Sequence, residues 1–210
     1  MGAAISIALV SFSAQAEQCN PITSLPINIT EPGKYCLQSD LSFTHNNIDA
    51  ITISSSDVTI DLNNWTLSGP YHGSQKGDFY TGAIRSDTSG ENYTIQNGVI
   101  SGFRSGISFY GGHRGIHVEN ITFKDTMSRA FGSEYASHIT IVNNRVHINQ
   151  TLYSSGGDTS VFKVFRGEGI TIKNNNVNVT SGGNDRYVRG VETLQSSAYI
   201  IKDNSFTLFA

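Results

Sequence analysis

Five segments of this 210-residue chain align with one another without gaps: NYTIQNGVISG (92–102), GIHVENITFKD (115–125), HITIVNNRVHI (138–148), GITIKNNNVNV (169–179) and AYIIKDNSFTL (198–208). Each reads apolar-x-apolar, a polar pair, then apolar-x-apolar. One position of the polar pair falls at Asn97, Asn120, Asn143, Asn174 and Asp203, in steps of 23, 23, 31 and 29 residues. An apolar residue three places on keeps the same steps: Ile100, Phe123, Val146, Val177 and Phe206. DVTIDLNNWTLSG (57–69) is an earlier, slightly longer copy. Alternation on both sides of a short polar pair describes a strand, a tight bend and a second strand. A third short strand precedes each copy and carries Ile84, Ile107, Phe131, Phe162 and Val191. Recurrence at this spacing is the signature of a solenoid. Elements that recur in one order stack in parallel, ~4.8 Å apart. The expected fold is therefore all-β: a single parallel β-solenoid of about six turns, each with three short strands.

The Asn column has a mechanism. Asn tolerates left-handed backbone at a bend, and stacked side-chain amides can hydrogen-bond from turn to turn. Asn97, Asn120, Asn143, Asn174 and Asp203 are thus expected to form a structural ladder. The rival solenoid is a leucine-rich repeat, which also carries a fixed Asn. It fails on composition, with 9 Leu against 22 Ile, and the L-x-x-L-x-L frame is missing.

Charged residues are 15% of the chain and the formal net charge is −3. That leaves no basic footprint for a nucleic-acid partner and too little charge for a coiled coil or a disordered tail. Residues 1–16, MGAAISIALVSFSAQA, read as a secretory signal peptide: an apolar run ending in Ala14-Gln15-Ala16. No Lys or Arg precedes Lys34, so the usual positive start is lacking. The run is too short to cross a bilayer, and no later stretch is long enough. The only cysteines, Cys19 and Cys36, follow the cleavage point. In an exported chain such a pair reads as a disulfide, worth about 3 kcal/mol in the loop-entropy model; two unpaired thiols are the alternative. The expected organisation is a signal peptide (1–16), an N-terminal capping segment (17–45) and a solenoid (46–210).

VTIDLNNWTLSG followed by YTIQNGVISGFRSGI resembles the opening turns of right-handed parallel β-helix proteins of the pectin-lyase-like superfamily, and EPGKYCLQSDL is similar to their entry strand. The resemblance covers about residues 22–208 and implies a right-handed coil. It does not imply one activity, because that superfamily includes lyases, hydrolases, epimerases, adhesins and tailspikes. The polygalacturonase motifs Asn-Thr-Asp, Asp-Asp, Gly-His-Gly and Arg-Ile-Lys are missing here, as is the Asp-Pro-His-Asp of alginate epimerases. No catalytic residue is carried over.

Insertions fall at 70–81, 150–160 and 181–190, each after the same strand, and so leave the coil on one edge. They bring Tyr153, Asp158, Asp185, Arg186, Tyr187 and Arg189 to that edge. Counting outward from the apolar column gives one row of Arg85, Ser108, Gly132, Lys163 and Glu192. A second row holds Tyr110, Glu134, Phe165 and Leu194. Aromatic faces pack on sugar rings and cations pair with uronate or sulfate. Arg85, Tyr110, Phe165, Asp158, Asp185, Arg186 and Arg189 are thus candidate substrate contacts. Lys163 or Arg166 with Glu134 or Glu192 is the best hypothetical catalytic set, a cation and a base as uronate cleavage requires. His113 and His117 lack the helix that would align them on zinc. No cofactor is expected; calcium would need several convergent carboxylates. The expected function is that of an exported β-helix protein which binds, or binds and cleaves, an acidic polysaccharide. The alternative is a non-catalytic surface or matrix module that self-associates end to end. For the apolar last strand, either Phe209 folds over the end or another chain covers it.

Overall fold

The computed structural model describes residues 19–71, 81–149, 159–180 and 187–209. Among them every regular element is a strand, and every strand pairing is parallel. The proposed signal peptide and most of the three insertions, with Tyr153, Asp158, Asp185 and Arg186, lie outside the described residues.

One sheet has seven strands: Ile27–Ile29, Ile51–Ile53, Gly82–Ser86, Ser105–Tyr110, Arg129–Glu134, Thr159–Phe165 and Val188–Leu194, side by side in chain order. The other has thirteen. Its main row runs Asn20–Ile22, Gly33–Leu37, Val58–Asp61, Glu91–Ser101, Arg114–Lys124, Ser137–Val142, Glu168–Lys173 and Ser197–Lys202. Its second row includes Thr66–Ser68, Arg145–Asn149, Asn176–Thr180 and Ser205–Phe209. The chain passes from sheet to sheet while spatial order follows sequence order. That is compatible with a β-helix-like solenoid.

Two sheets of 13 and 7 strands do not divide into six turns of three. Glu91–Ser101 and Arg114–Lys124 each run for 11 residues straight through the corner and fuse two of the three expected stacks. Their corner backbones pair directly, Ile121 opposite Gly98. In the next turns this position is Asn144, Asn175 and Asn204, and the strands end on either side of it.

The apolar columns are in the expected register. Ile84, Ile107, Phe131, Phe162 and Val191 oppose one another from turn to turn. So do Ile100, Phe123, Val146, Val177 and Phe206. All but Val191 and Phe206 are fully buried, each burial worth roughly 1.5–3 kcal/mol of transfer free energy. The 19–45 segment adds its own strands to both sheets and buries Ile22, Ile29, Leu37 and Phe43 in the same core. The Cys19–Cys36 disulfide forms there, with a Cα–Cα distance of 5.9 Å.

All five ladder residues are left-handed, with φ of 55–58°. The amide ladder itself lies one residue later. Only one bond joins Asn side chains of the expected column, Asn120 Nδ2 to Asn97 Oδ1 at 3.3 Å. The continuous series is Asn144, Asn175 and Asn204. Asn175 Oδ1 accepts from the backbone N–H of Asn144 (2.9 Å) and from its Nδ2 (3.0 Å). Asn204 Oδ1 serves Asn175 in the same way, both at 2.9 Å. The physical reason is a division of labour. The first corner residue needs a side chain that tolerates positive φ, and it points outward. The second is buried and must satisfy backbone groups that the bend removes from the strand ladder.

A second left-handed column, Asp57, Asn92, Gly115, His138, Gly169 and Ala198, turns the chain into the main row. In the last described turn the core columns reach the surface: Tyr199 is 54% exposed, Ile201 40% and Phe206 37%. Phe209 does not fold over this end; it pairs with Thr180 in the outermost strand.

Asn175→Ala would leave the Asn144 N–H and the Ile141 carbonyl without partners inside the coil. Each buried unsatisfied group costs about 1–3 kcal/mol, so this variant should lose about 2–5 kcal/mol in urea unfolding. Asn178→Ala, on the outward face of the neighbouring strand, should stay within about 0.5 kcal/mol of the parent.

Candidate functional site

The outer face of the seven-stranded sheet carries the expected rows. Arg85, Ser108, Gly132, Lys163 and Glu192 oppose one another in successive strands. Tyr110, Glu134, Phe165 and Leu194 form the second row. Phe109 pairs with Ser86, which puts Asp87 level with Tyr110.

Three arginines on or beside this sheet lie over aromatic rings. The Arg85 guanidinium stands 4.8 Å from the Tyr110 centroid. Arg166 stands 4.9 Å from Phe165 and 5.2 Å from Tyr135, and its Nη1 donates to the Tyr135 hydroxyl at 2.6 Å. Arg189 stands 4.9 Å from Tyr187. Stacking of this kind fixes the guanidinium plane, and the Nε edges of Arg85 and Arg166 are held by Asp87 and Gln195. Tyr135, like Arg166, takes left-handed backbone at the turn that follows its strand. Only an alternation that continues into the turn would have pointed to it.

A cavity of about 220 Å³ opens at the start of these strands, lined among others by Asp49, Arg85, Arg104, Tyr110 and Arg129. Arg104 and Arg129 were not among the candidates. The Arg85 Nε donates to both oxygens of Asp87 at 2.9 Å and lies 3.7 Å from Asp49. Burial works against the Arg85 charge, but Asp87 and Asp49, with a smaller contribution from Tyr110, together outweigh it, so its pKa is raised. Burial also pushes the Asp49 carboxyl up, against the Gly82 N–H that it accepts at 2.7 Å. A larger open groove of about 480 Å³ on the other sheet is lined by Asp57, Thr59, Asn92, Thr94, His117 and His138, with no Lys or Arg among its lining residues.

Of the hypothetical catalytic set, the structure brings Lys163 and Glu192 together at 3.3 Å. Glu192 also accepts from the Ser160 hydroxyl at 2.7 Å and faces Arg189 at 3.6 Å. Burial alone would raise its pKa; Ser160 and Lys163 outweigh that and lower it. A carboxylate so held is a counter-ion, poorly matched to the proton transfers of a general base. Arg166 instead engages Gln195 and Tyr135. Glu134 stands between Tyr110 and Phe165 in its row.

His113 sits behind the site and is 1% exposed. Its ring packs edge-on against Tyr93 (5.4 Å) and Phe109 (5.1 Å). Its Nε2 lies 3.3 Å from the Tyr110 carbonyl, which can only accept, so Nε2 carries the proton. Nδ1 has no hydrogen-bond partner. His117, by contrast, faces outward beside Glu119. Among the described residues no group of three or more His, Cys, Asp or Glu is placed to hold a metal ion. No helix among them is long and apolar enough to cross a membrane.

Comparison with family models, with curated proteins and with solved structures finds no match to this chain. The likeness to pectin-lyase-like β-helices therefore rests on the motifs quoted above and on the parallel stacking.

Burial lowers the His113 pKa, chiefly by desolvation, against opposing contributions from the Tyr110 and Ser86 backbones and Asp87. The folded state thus binds this proton less well than the unfolded state. Stability is complete above the ordinary imidazole range and falls as pH drops through it, by up to about 1.4 kcal/mol per pH unit for one proton. Thermal unfolding between pH 7.5 and 5 should show this loss, and His113→Gln should flatten it.

Proposed function

We propose that this protein is an exported, right-handed parallel β-helix of pectin-lyase-like organisation, with about six turns. It binds an acidic polysaccharide along the outer face of its seven-stranded sheet. The observation that carries this reading is the set of three arginine–aromatic stacks on and beside that face. Tyr110 and Phe165 are two strands apart, hence roughly 10 Å at the usual parallel spacing. Such a row offers aromatic surface to successive sugars and a line of positive charge to their acidic groups. The Cys19–Cys36 bridge suits an oxidising compartment. Binding rather than cleavage is the favoured activity, because Glu192 and Lys163 are engaged with each other.

Affinity electrophoresis through pectate, alginate and chondroitin sulfate gels tests this reading. Retardation by at least one polymer is expected, and it should weaken steeply between 50 mM and 500 mM salt as screening shortens the reach of exposed charges. Unchanged mobility in all three gels at low salt would overturn it. Incubation with the same polymers should produce no rise in absorbance at about 235 nm, where an unsaturated uronate made by β-elimination would register.

The exposed apolar residues of the last described turn favour a second reading, a module that stacks end to end on another copy. Tyr199, Ile201 and Phe206, which continue the core columns, are 54%, 40% and 37% exposed. Sedimentation over a wide concentration range decides it. A constant monomer at the highest concentration rejects stacking, whereas growing oligomers that Ile201→Lys abolishes support it.

A further inference from the structure

The cavity at the start of the seven-stranded face is lined by a half-buried arginine, Arg129, whose surroundings differ from those of Arg85, Lys163 and Arg189. Two carboxylates, Asp49 and Asp87, converge on Arg85. Lys163 and Arg189 share Glu192. Arg129 is half-buried, lines the cavity and has no carboxylate within salt-bridge reach among the described residues. A guanidinium partly withdrawn from water without a counter-ion is a costly arrangement unless something supplies the charge. Its position is also prepared. Arg129 Nη1 donates to the Tyr110 hydroxyl at 3.3 Å. The side chain runs across Gly132, where a Cβ would come 2.8 Å from Arg129 Cδ and 3.1 Å from Nη1. Gly132 is the one residue without a side chain in the outward row of Arg85, Ser108, Lys163 and Glu192. The missing side chain leaves room for Arg129 to cross, and Nη1 is the one guanidinium nitrogen with a hydrogen-bond partner among the described residues.

We propose that the cavity between Arg104, Arg129 and Tyr110 is an oxyanion subsite. It seats one sulfate-ester or carboxylate group of a sugar polymer, with Arg129 as the principal ligand and the Ser105 and Ser108 hydroxyls alongside. This rests on the reading of the face as saccharide-binding and adds what it recognises and where. The volume of about 220 Å³ is below the roughly 300–1,000 Å³ of pockets that enclose a whole drug-sized ligand. It suits one charged substituent, with the polymer backbone crossing outside over Tyr110.

Calorimetric titration of the whole protein with chondroitin sulfate, desulfated chondroitin and polygalacturonate tests the subsite. Charged hydrogen bonds contribute about 1.5–3 kcal/mol, so Arg129→Gln should weaken binding about tenfold to hundredfold. Gly132→Ala, which pushes Arg129 off its path while retaining its charge, should weaken it to a similar degree with the thermal transition preserved. Arg129→Lys should rescue only part of the loss. Affinity that collapses on desulfation identifies a sulfate ester; affinity retained on desulfated chondroitin and polygalacturonate identifies a carboxylate. If Arg166→Gln lowers affinity but Arg129→Gln and Gly132→Ala leave it unchanged, the face binds saccharide and the subsite is wrong. If the parent binds none of these polymers, the broader reading fails. Inorganic sulfate then decides the cavity alone. Saturable thermal stabilisation that Arg129→Gln removes upholds the subsite, and stabilisation equal in both proteins, or none, sinks it.

Discussion

The corner between the two rows of the larger sheet is the constraint on which the structure turns. There the chain must reverse its pleat within two residues and still satisfy every buried backbone group. The first corner residue supplies left-handed backbone, φ 56° at Asn97 and 58° at Asn143. The second supplies the missing hydrogen bonds, and it does so in two ways. At Gly98 and Ile121 the backbones pair directly and the strand runs on. At Asn144, Asn175 and Asn204 a side-chain amide bridges to the neighbouring turn and also reaches back to a carbonyl, as Asn144 does to Val118 at 3.0 Å. A buried amide of this kind is satisfied only if the next turn arrives in register, so it specifies register as well as stability. Gly98 has a further reason: the preceding turn is wider there, and a Cβ would meet the Trp65 carbonyl at 2.7 Å.

Much of this was legible in the residues. The inward columns were, because strand periodicity is two and a recurring step brings like residues level without any knowledge of the loops. The left-handed corner was, because Asn identifies it directly. The hydrogen-bonding ladder was assigned to the wrong member of the polar pair. The constant residue draws attention, while the buried one varies (Gly98, Ile121, Asn144, Asn175, Asn204) because direct backbone pairing can replace it. The second left-handed column was invisible for a similar reason: Asp57, Asn92, Gly115, His138, Gly169 and Ala198 share a backbone conformation and no side-chain chemistry.

The candidate site divides in the same way. Rows counted forward from the inward apolar residue placed Arg85, Tyr110, Lys163, Phe165 and Glu192 on one face. Arg104 and Arg129 precede that residue, at the entry of their strands, and a count in the forward direction passes them by. Ion pairing was not legible either. Lys163 and Glu192 stand one turn apart in either a catalytic or a structural arrangement, and only the added contacts from Ser160 and Arg189 show that Glu192 is held as a counter-ion. Arg129 shows the converse: among the described residues no carboxylate reaches it, because Asp49 and Asp87 are drawn to Arg85.

Fold and site are therefore coupled through register. Arg104, Ser105, Ser108 and Tyr110 come from one turn, Arg85 from the turn before and Arg129 and Gly132 from the turn after, aligned by the same parallel pairing that stacks Ile84, Ile107 and Phe131 beneath them. A slip of one residue in any strand would exchange the two faces. It would bury guanidinium groups as it removed the core. Because the side chains stand on a stacked sheet fixed by its own register and core, a bound polymer would spend little of its interaction energy on arranging them. Contacts that are individually weak would then add along such a polymer, since each charged group that is seated raises the effective concentration of the next. Six of the chain's 14 basic residues, namely Arg85, Arg104, Arg129, Lys163, Arg166 and Arg189, lie on or beside this one face. In a sequence only 15% charged, that concentration is a property of the stacking, because residues separated by 23 to 31 positions in the chain stand one strand apart in space.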